Sequence, residues 1–233
     1  MPIRAVGFDI DGTLYPANAL FMRMATEVAR SPRLFLAFNA TRRDLRRLDA
    51  GAVFRSAPPS SVEAFHRHQA ALVAARLGRD PAPVYEAIER IYYRRSEERF
   101  SRIMTFPRVT ETLDALRAAG LRLGALSDFP CERKLELLGL AGRFDAAITS
   151  ESTGLVKPDR ASFDLLAARL GVPNAEMLYV GNSEAYDVRG AAAAGMRTAF
   201  ISRSARARRR SGADFAFADY RELVAYVLSV KET

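Results

Sequence analysis

The sequence predicts an α/β protein: a doubly wound, mostly parallel sheet interrupted near its start by an all-helical block. Three observations carry that prediction. An isolated apolar run, "IRAVGFDI", opens the chain and stops at the turn signal Asp-Gly-Thr. The stretch from Ala17 to Met104 shows only helical spacing of its apolar residues. From Phe106 onward strand-like and helix-like segments alternate, the pattern of a parallel sheet covered by helices on both faces.

Each segment follows from its own residues. Within the helical block, "ALFMRMATEVAR", "LFLAFNATRRDLRRL", "SVEAFHRHQAALVAARL" and "PVYEAIERIYYRRSEERF" each read as a helix, separated by Pro32, "APPS" and "GRDPAP". Beyond it, "VTETLDALRAAG" is a helix ending at Gly120 and "LRLGALSD" a strand. "CERKLELLG", "DRASFDLLAARLG", "EAYDVRGAAAAG" and "YRELVAYVLS" read as helices. "FDAAITS", "EMLYVGNS", "RTAFIS" and "ADFAFAD" read as strands. The first strand belongs with the later series, so the block is an insertion into the core. The expected boundaries are 1–16 and 105–233 for the core and 17–104 for the helical domain.

The composition fits this layout. The 233 residues are 49% hydrophobic and 27% charged, enough for one large core with a modest insertion. No apolar run approaches the ~20 residues of a membrane span, and "MPIRAVGFD" lacks the layout of a signal peptide. The single cysteine, Cys131, rules out an intrachain disulfide. Together these predict a cytoplasmic protein with no membrane partner. The net charge is +8 and the pI 10.0, almost entirely from arginine, since the only lysines are Lys134, Lys157 and Lys231. Arginines spread along the chain read as solvated helix faces, so nucleic acid is not the expected partner; attraction to polyanions is the alternative. The densest run, "RSARARRRS", reads as a solvated loop. The other reading is that Arg203, Arg206, Arg208, Arg209 and Arg210 steer anions toward a site on the same side of the sheet.

In a doubly wound sheet, ligands bind beyond the carboxyl ends of the strands. Four strand ends here carry polar residues: "FDIDGT", "LSD", "TSESTGLVKPD" and "YVGNSEAYD". Asp9, Asp11, Ser127, Lys157, Asn182 and Asp187 are therefore expected on one rim, although they come from segments far apart in the chain.

Those four segments, in that order, resemble the motifs of the haloacid dehalogenase superfamily, in its phosphatase branch. "DIDGT" matches the Asp-x-Asp-Gly-Thr opening motif in full; Ser127 of "ALSD" and Lys157 of "VKPD" match the second and third motifs. The fourth motif departs: Gly181 and Asp187 are present, but Asn182 stands where an acid is usual. The resemblance implies a Rossmann-like core whose helical insertion, 17–104, is a cap over the site. It implies a Mg²⁺-dependent hydrolase of small phosphorylated metabolites, with Asp9 as nucleophile, forming an aspartyl-phosphate, and Asp11 as general acid and base. Ser127, Asp128 and Lys157 would bind the phosphate, and Asp9, the Asp11 main-chain carbonyl, Asn182 and Asp187 would hold the metal. Dehalogenation is disfavoured, because that branch lacks the second acid, present here as Asp11.

Other readings stand beside these. Asp9 and Asp11 also suit a turn, Ser127 and Asp128 a helix cap, Lys157 a surface loop, and Asn182 the cap of the helix near Glu184. A sugar-phosphate mutase of the same family is an alternative activity. A catalytically weak, polyanion-binding module is another, suggested by Asn182 and the basic charge. In the helical domain, Arg42, Arg43, His66, His68, Tyr92 and Arg94 are candidate specificity residues. His66 and His68, two apart, point to different helix faces.

Overall fold

The protein is described by a computed structural model over residues 1–47, 57–94, 100 and 102–231. Six strands form one parallel sheet: β1 (Ala5–Phe8), β2 (Arg122–Ser127), β3 (Ala146–Thr149), β4 (Met177–Gly181), β5 (Arg197–Ile201) and β6 (Phe215–Phe217), in the order β3-β2-β1-β4-β5-β6. The chain builds outward from β1 to β3, then crosses back to lay β4 on the other side of β1. The strand order therefore reverses between β1 and β4, which leaves a crevice at their carboxyl ends. Phe8, the last residue of β1, stands level with Ala125 of β2 and Val180 of β4.

Side chains alternate across the sheet into two cores. Val6, Phe8, Leu123, Ala125, Leu178 and Val180 face a layer built from α6 (Val109–Ala118) and α11 (Tyr220–Val230). Ala5, Leu126, Met177 and Tyr179 face the opposite layer, where Phe163, Leu166 and Leu170 of α8 (Arg160–Leu170) pack. On that second face Gly7 and Gly124 sit side by side in register, and a Cβ on either would lie 2.9 or 2.8 Å from Leu166. The missing side chains let α8 settle directly onto the sheet, and this fixes the segment before it, which carries Lys157.

All described elements between β1 and β2 are helical, and those before α6 belong to the inserted block. They are α1 (Ala17–Arg23), α2 (Ala25–Arg30), α3 (Pro32–Leu45), α4 (Val62–Leu77) and α5 (Pro81–Ile88), the last running on as a π-helical turn, Glu89–Arg94. Pro32 opens α3, the Ser61 and Asp80 side chains cap α4 and α5, and Gly78 ends α4 at a φ of 62°. These helices bury a core of their own around Phe38, Val73, Ala74 and Ile88.

Four details differ from the expected pattern. "ALFMRMATEVAR" is two helices that meet at Met24. "EAYDVRGAAAAG" begins as a π-helical turn, Glu184–Val188, before α9 (Arg189–Ala193). "RSARARRRS" contains a short helix, α10 (Ala205–Arg210), started by the Ser204 side chain accepting from Ala207 N–H and made of good helix formers. Phe100 and Ile103, inside the interval expected for the helical domain, pack with the core layer beside Tyr15. The remaining helix of the core, α7 (Glu132–Leu137), follows β2. The predicted helical readings over 48–56 and 95–99 lie outside the described residues.

Candidate active site

The crevice at the strand ends is built from the groups that the sequence placed there. Asp9 follows β1 directly, and its N–H donates to the carbonyl of Val180 (2.9 Å), so the backbone ladder carries the residue into the crevice. The chain then turns away at Gly12, where φ is +92° and an added Cβ would lie 2.4 Å from Asn182 Nδ2. Thr13 Oγ1 donates to Asp9 Oδ2 (2.8 Å) and lies 3.2 Å from Asn182 Oδ1.

Lys157 Nζ lies 2.7 Å from both Asp9 Oδ1 and Asp187 Oδ1, with all three side chains buried. Asp187 Oδ2 accepts the N–H of Ser183 (2.9 Å). A Cβ at Gly181 would lie 2.3 Å from the Asp187 Cβ, so only glycine lets that acid approach the sheet. Burial pushes the Asp9 carboxyl up to about 7. Lys157 opposes the rise, while Asp187 and Asp11 add to it. One ammonium shared between two buried carboxylates does not fully compensate the burial of Asp9.

Asp11 is held differently. Lys134 Nζ donates to both of its oxygens (2.9 and 2.7 Å), Ser127 Oγ donates to Oδ2 (3.0 Å), and the Tyr15 hydroxyl donates to Oδ1. Burial pushes this carboxyl up, but Lys134 and the donated hydrogen bonds outweigh burial and hold it below the ordinary range. Tyr15 itself is raised by burial and by Asp11, so it stays a neutral donor. Ser127 Oγ also accepts the N–H of Phe129 (3.2 Å), which ties the loop after β2 to Asp11.

Asp128 lines the cavity, but its oxygens are already engaged. Oδ1 accepts from Ser150 Oγ (2.7 Å) and from the N–H of Lys157 (3.1 Å), and Oδ2 pairs with Arg46 (2.8 Å). Burial raises this carboxyl, while Arg46, Lys157 and Arg42 together hold it far below the usual range. Its evident work is to fix the Lys157 segment and to receive a cation from the helical domain.

A second polar cluster joins that domain to the core. Glu151, fully buried after β3, accepts from Arg42 Nη1 (2.6 Å) and the Tyr93 hydroxyl (3.0 Å), and pairs with His66 Nε2 (2.9 Å). Arg42 also donates to Gln69 Oε1 (3.0 Å) and to the carbonyl of Asp128 (2.7 Å). Burial pulls His66 down, but Glu151 and Glu89 outweigh it and raise its pKa to about 9. Since that value exceeds the ~6.5 of an unfolded histidine, the pairing stabilises fully below pH ~6.5. Its contribution is lost as pH rises through 9. The melting temperature is expected to fall between pH 7 and 9.5 in the parent, and to fall less in His66→Gln; parallel melting curves for the two across that range would contradict the pairing.

The six strand-end residues thus come together as the sequence predicts. Arg42 and Tyr92 reach the cavity as well, and His66 lies behind it in the Glu151 cluster. Arg43 and His68 are exposed, and so is Arg94, which pairs with Glu86. Of the basic run, Arg203 lines a neighbouring cavity that shares Asn182, and Arg208 caps the Ser202 carbonyl. Lys134, Tyr15, Arg46 and Glu151 were not singled out from the sequence. Lys134 did carry a signal: a chain with three lysines places two of them on its paired acids.

The site's donors suit a hard cation. No three His, Cys, Asp or Glu side chains among the described residues are spaced as a metal cage. A mixed oxygen set remains: an Asp9 oxygen and Asn182 Oδ1, both within reach of the Thr13 hydroxyl. The floor also holds three acids, Asp9, Asp11 and Asp187, against two ammonium groups, Lys134 and Lys157. That net negative floor, with oxygen donors, fits Mg²⁺ better than a soft metal.

A parallel sheet with a carboxylate–lysine array at its switch point and helices inserted after its first strand is the layout of an α/β enzyme. The chain belongs to the haloacid dehalogenase-like hydrolases, whose family model matches residues 3–195. It is 32% identical over 204 residues to a glyceraldehyde 3-phosphate phosphatase of Methanopyrus kandleri, covering 86% of this chain and 84% of that protein. It is 30% identical over 207 residues to a phosphoglycolate phosphatase of Shigella dysenteriae, covering 83% and 79%. A solved phosphatase of the family from Thermococcus onnurineus superposes with a TM-score of 0.62 at 26% identity, covering 99% of this chain and all of that one. Within its family the chain is a phosphatase, with a Rossmann-like core. No helix among the described residues is long and apolar enough to cross a membrane.

Proposed function

We propose that the protein hydrolyses small phosphate monoesters in two steps through an aspartyl-phosphate on Asp9, with Mg²⁺ as cofactor. The observation that supports this most is the Asp9–Lys157–Asp187 array facing Asp11 across one crevice, two acids held in unlike environments. In the first step an Asp9 oxygen bonds to phosphorus as the bond to the leaving oxygen breaks, and the leaving oxygen takes a proton through Asp11. Lys134 Nζ, 2.7 Å from Asp11, is the adjacent proton-bearing group. In the second step Asp11 takes a proton from water, the water oxygen bonds to phosphorus, and the bond to Asp9 breaks. Lys157 opposes the rise of the Asp9 carboxyl and holds it in place. Asp11, held ionised by Lys134, is ready for the second step.

Mg²⁺ would be held by Asp9, the Asp11 carbonyl and Asn182, with Asp187 behind them. When bound it offsets phosphate charge that a net negative floor would otherwise repel. Ser127, anchored under Asp11, and Lys157 are the phosphate-side donors. The helices within 17–104 act as the cap, and 1–16 with 105–233 as the core. The expected location is the cytoplasm.

The test is phosphate release from an aryl phosphate with and without Mg²⁺. Metal-dependent release supports the reading; no release from any ester, with tight oligonucleotide binding instead, overturns it in favour of a polyanion-binding module. Asn182 brings an oxygen but no charge. Asn182→Asp is therefore expected to lower the Mg²⁺ concentration for half-maximal activity by on the order of tenfold. An unchanged metal titration would remove Asn182 from the ligand set.

A further inference from the structure

The cavity above the acids has a chemistry of its own. It measures 550 Å³; its floor carries Asp9, Asp11, Lys157, Asn182 and Asp187, while Asn39, Arg42 and Arg46 reach it from the helical domain. Opposite the floor the wall is made of rings. Phe35, Phe38 and Tyr92 come from the helical domain, and Phe129 from the loop after β2, with Leu20 and Phe21 toward the mouth. Phe38 and Tyr92 stack face to face at 3.7 Å, Phe129 lies 5.8 Å from Tyr93, and Phe21 is 58% exposed. Phe21 thus extends the ring-lined wall to the solvent edge of the cavity.

The cations near the wall are each matched by an acid of the protein. Arg42 is paired with Glu151, Arg46 with Asp128 and with the Tyr186 ring (4.5 Å), and Arg133 with Glu136. Lys134 serves Asp11, and Lys157 serves Asp9 and Asp187. With their charges matched inside the protein, these cations leave no net positive charge to attract a carboxylate on the leaving group. A leaving group of two or three carbons would leave most of the wall uncovered.

Building on the phosphatase reading, we propose that the substrate class is a phosphate monoester whose leaving group is uncharged and carries a flat ring. The phosphate sits on the acid and lysine floor, and the ring lies against Phe38, Tyr92 and Phe129. Such a ring gains both area burial and oriented aromatic contact. The relatives named above act, by their names, on glyceraldehyde 3-phosphate and on phosphoglycolate, which are small and polar. This cavity is shaped for a different ester.

The test compares esters of matched leaving-group acidity, so that the rate reads fit and not bond strength. The kcat/KM for 2-phenylethyl phosphate is expected to exceed that for ethyl phosphate and for phosphoglycolate by tenfold or more. Phe21→Ala and Phe35→Ala, neither in the deep core, are each expected to narrow the phenylethyl-to-ethyl ratio. Equal or better turnover of ethyl phosphate or phosphoglycolate would overturn the proposal, as would octyl phosphate matching the phenylethyl ester, or a ratio unmoved by both variants. Absence of turnover on every ester, in the presence of Mg²⁺, would instead count against the phosphatase reading on which the proposal rests.

Discussion

Asp9→Asn is expected to abolish phosphate release, lowering kcat by a factor on the order of 10⁴ or more, the scale of loss when a covalent nucleophile is removed. The change is nearly isosteric, so the protein should remain folded. An amide can still accept from Thr13, and Lys157 keeps Asp187 as its carboxylate partner at 2.7 Å. Burial already makes the Asp9 charge costly, which is why its carboxyl rises to about 7. Removing that charge relieves desolvation while deleting the attacking oxygen. Stability preserved or raised together with lost turnover is the specific signature expected, measured by thermal melting alongside the assay. A variant that kept more than a few per cent of the activity would place the nucleophile elsewhere.

The second large effect is expected at Lys157. Lys157→Met removes the one ammonium between Asp9 and Asp187 and leaves two buried carboxylates facing each other. Breaking a buried pair from one side typically costs about 3–5 kcal/mol, because the remaining charge is stranded. For a chain of this size that corresponds to a melting temperature lower by roughly 10 °C. The pH dependence has a definite sign. Stranded acids have folded pKa values above their unfolded ones, so they destabilise at neutral pH and do so less as they become protonated. The deficit of the variant against the parent, both measured in chelator, should therefore shrink as pH falls from 8 toward 5. A deficit that grew in acid would mean that Lys157 does not compensate these carboxylates. Activity should be lost in the variant at every pH, since Asp9 loses its charge partner.

Much of the fold was legible because parallel sheets announce themselves. "IRAVGFDI", "LRLGALSD" and "EMLYVGNS" are short apolar runs separated by helices, and they became β1, β2 and β4 around the switch point. The six site residues were legible for the same reason: strand ends of such a sheet meet at one rim. What escaped was contact between segments. Lys134 lies on an ordinary helix, and only the folded packing brings its Nζ onto Asp11. Within "TSESTGLVKPD" nothing local marks out Glu151. Its burial beneath Arg42, His66 and Tyr93 depends on how the inserted helices sit on the core, which local periodicity does not encode. Asp128 read as a phosphate ligand or a helix cap, and packing instead gives its oxygens to Arg46, Ser150 and the Lys157 backbone. The helix over Ala205–Arg210 is hidden by its own charge: its four arginines suggest solvent, while Ser204 and the alanines supply the helix start and the propensity.

Chemical trapping of the intermediate tests the central claim most directly. The protein would be mixed with an aryl phosphate and Mg²⁺, quenched within the first turnover, reduced with borohydride and digested. Borohydride converts an acyl phosphate, but not a free carboxylate, to an alcohol. Conversion of Asp9 to homoserine in the peptide containing "FDIDGT", dependent on substrate and absent in Asp9→Asn, is the predicted result. Rapid phosphate release with Asp9 unmodified and another residue labelled, or with no residue labelled at all, would contradict it.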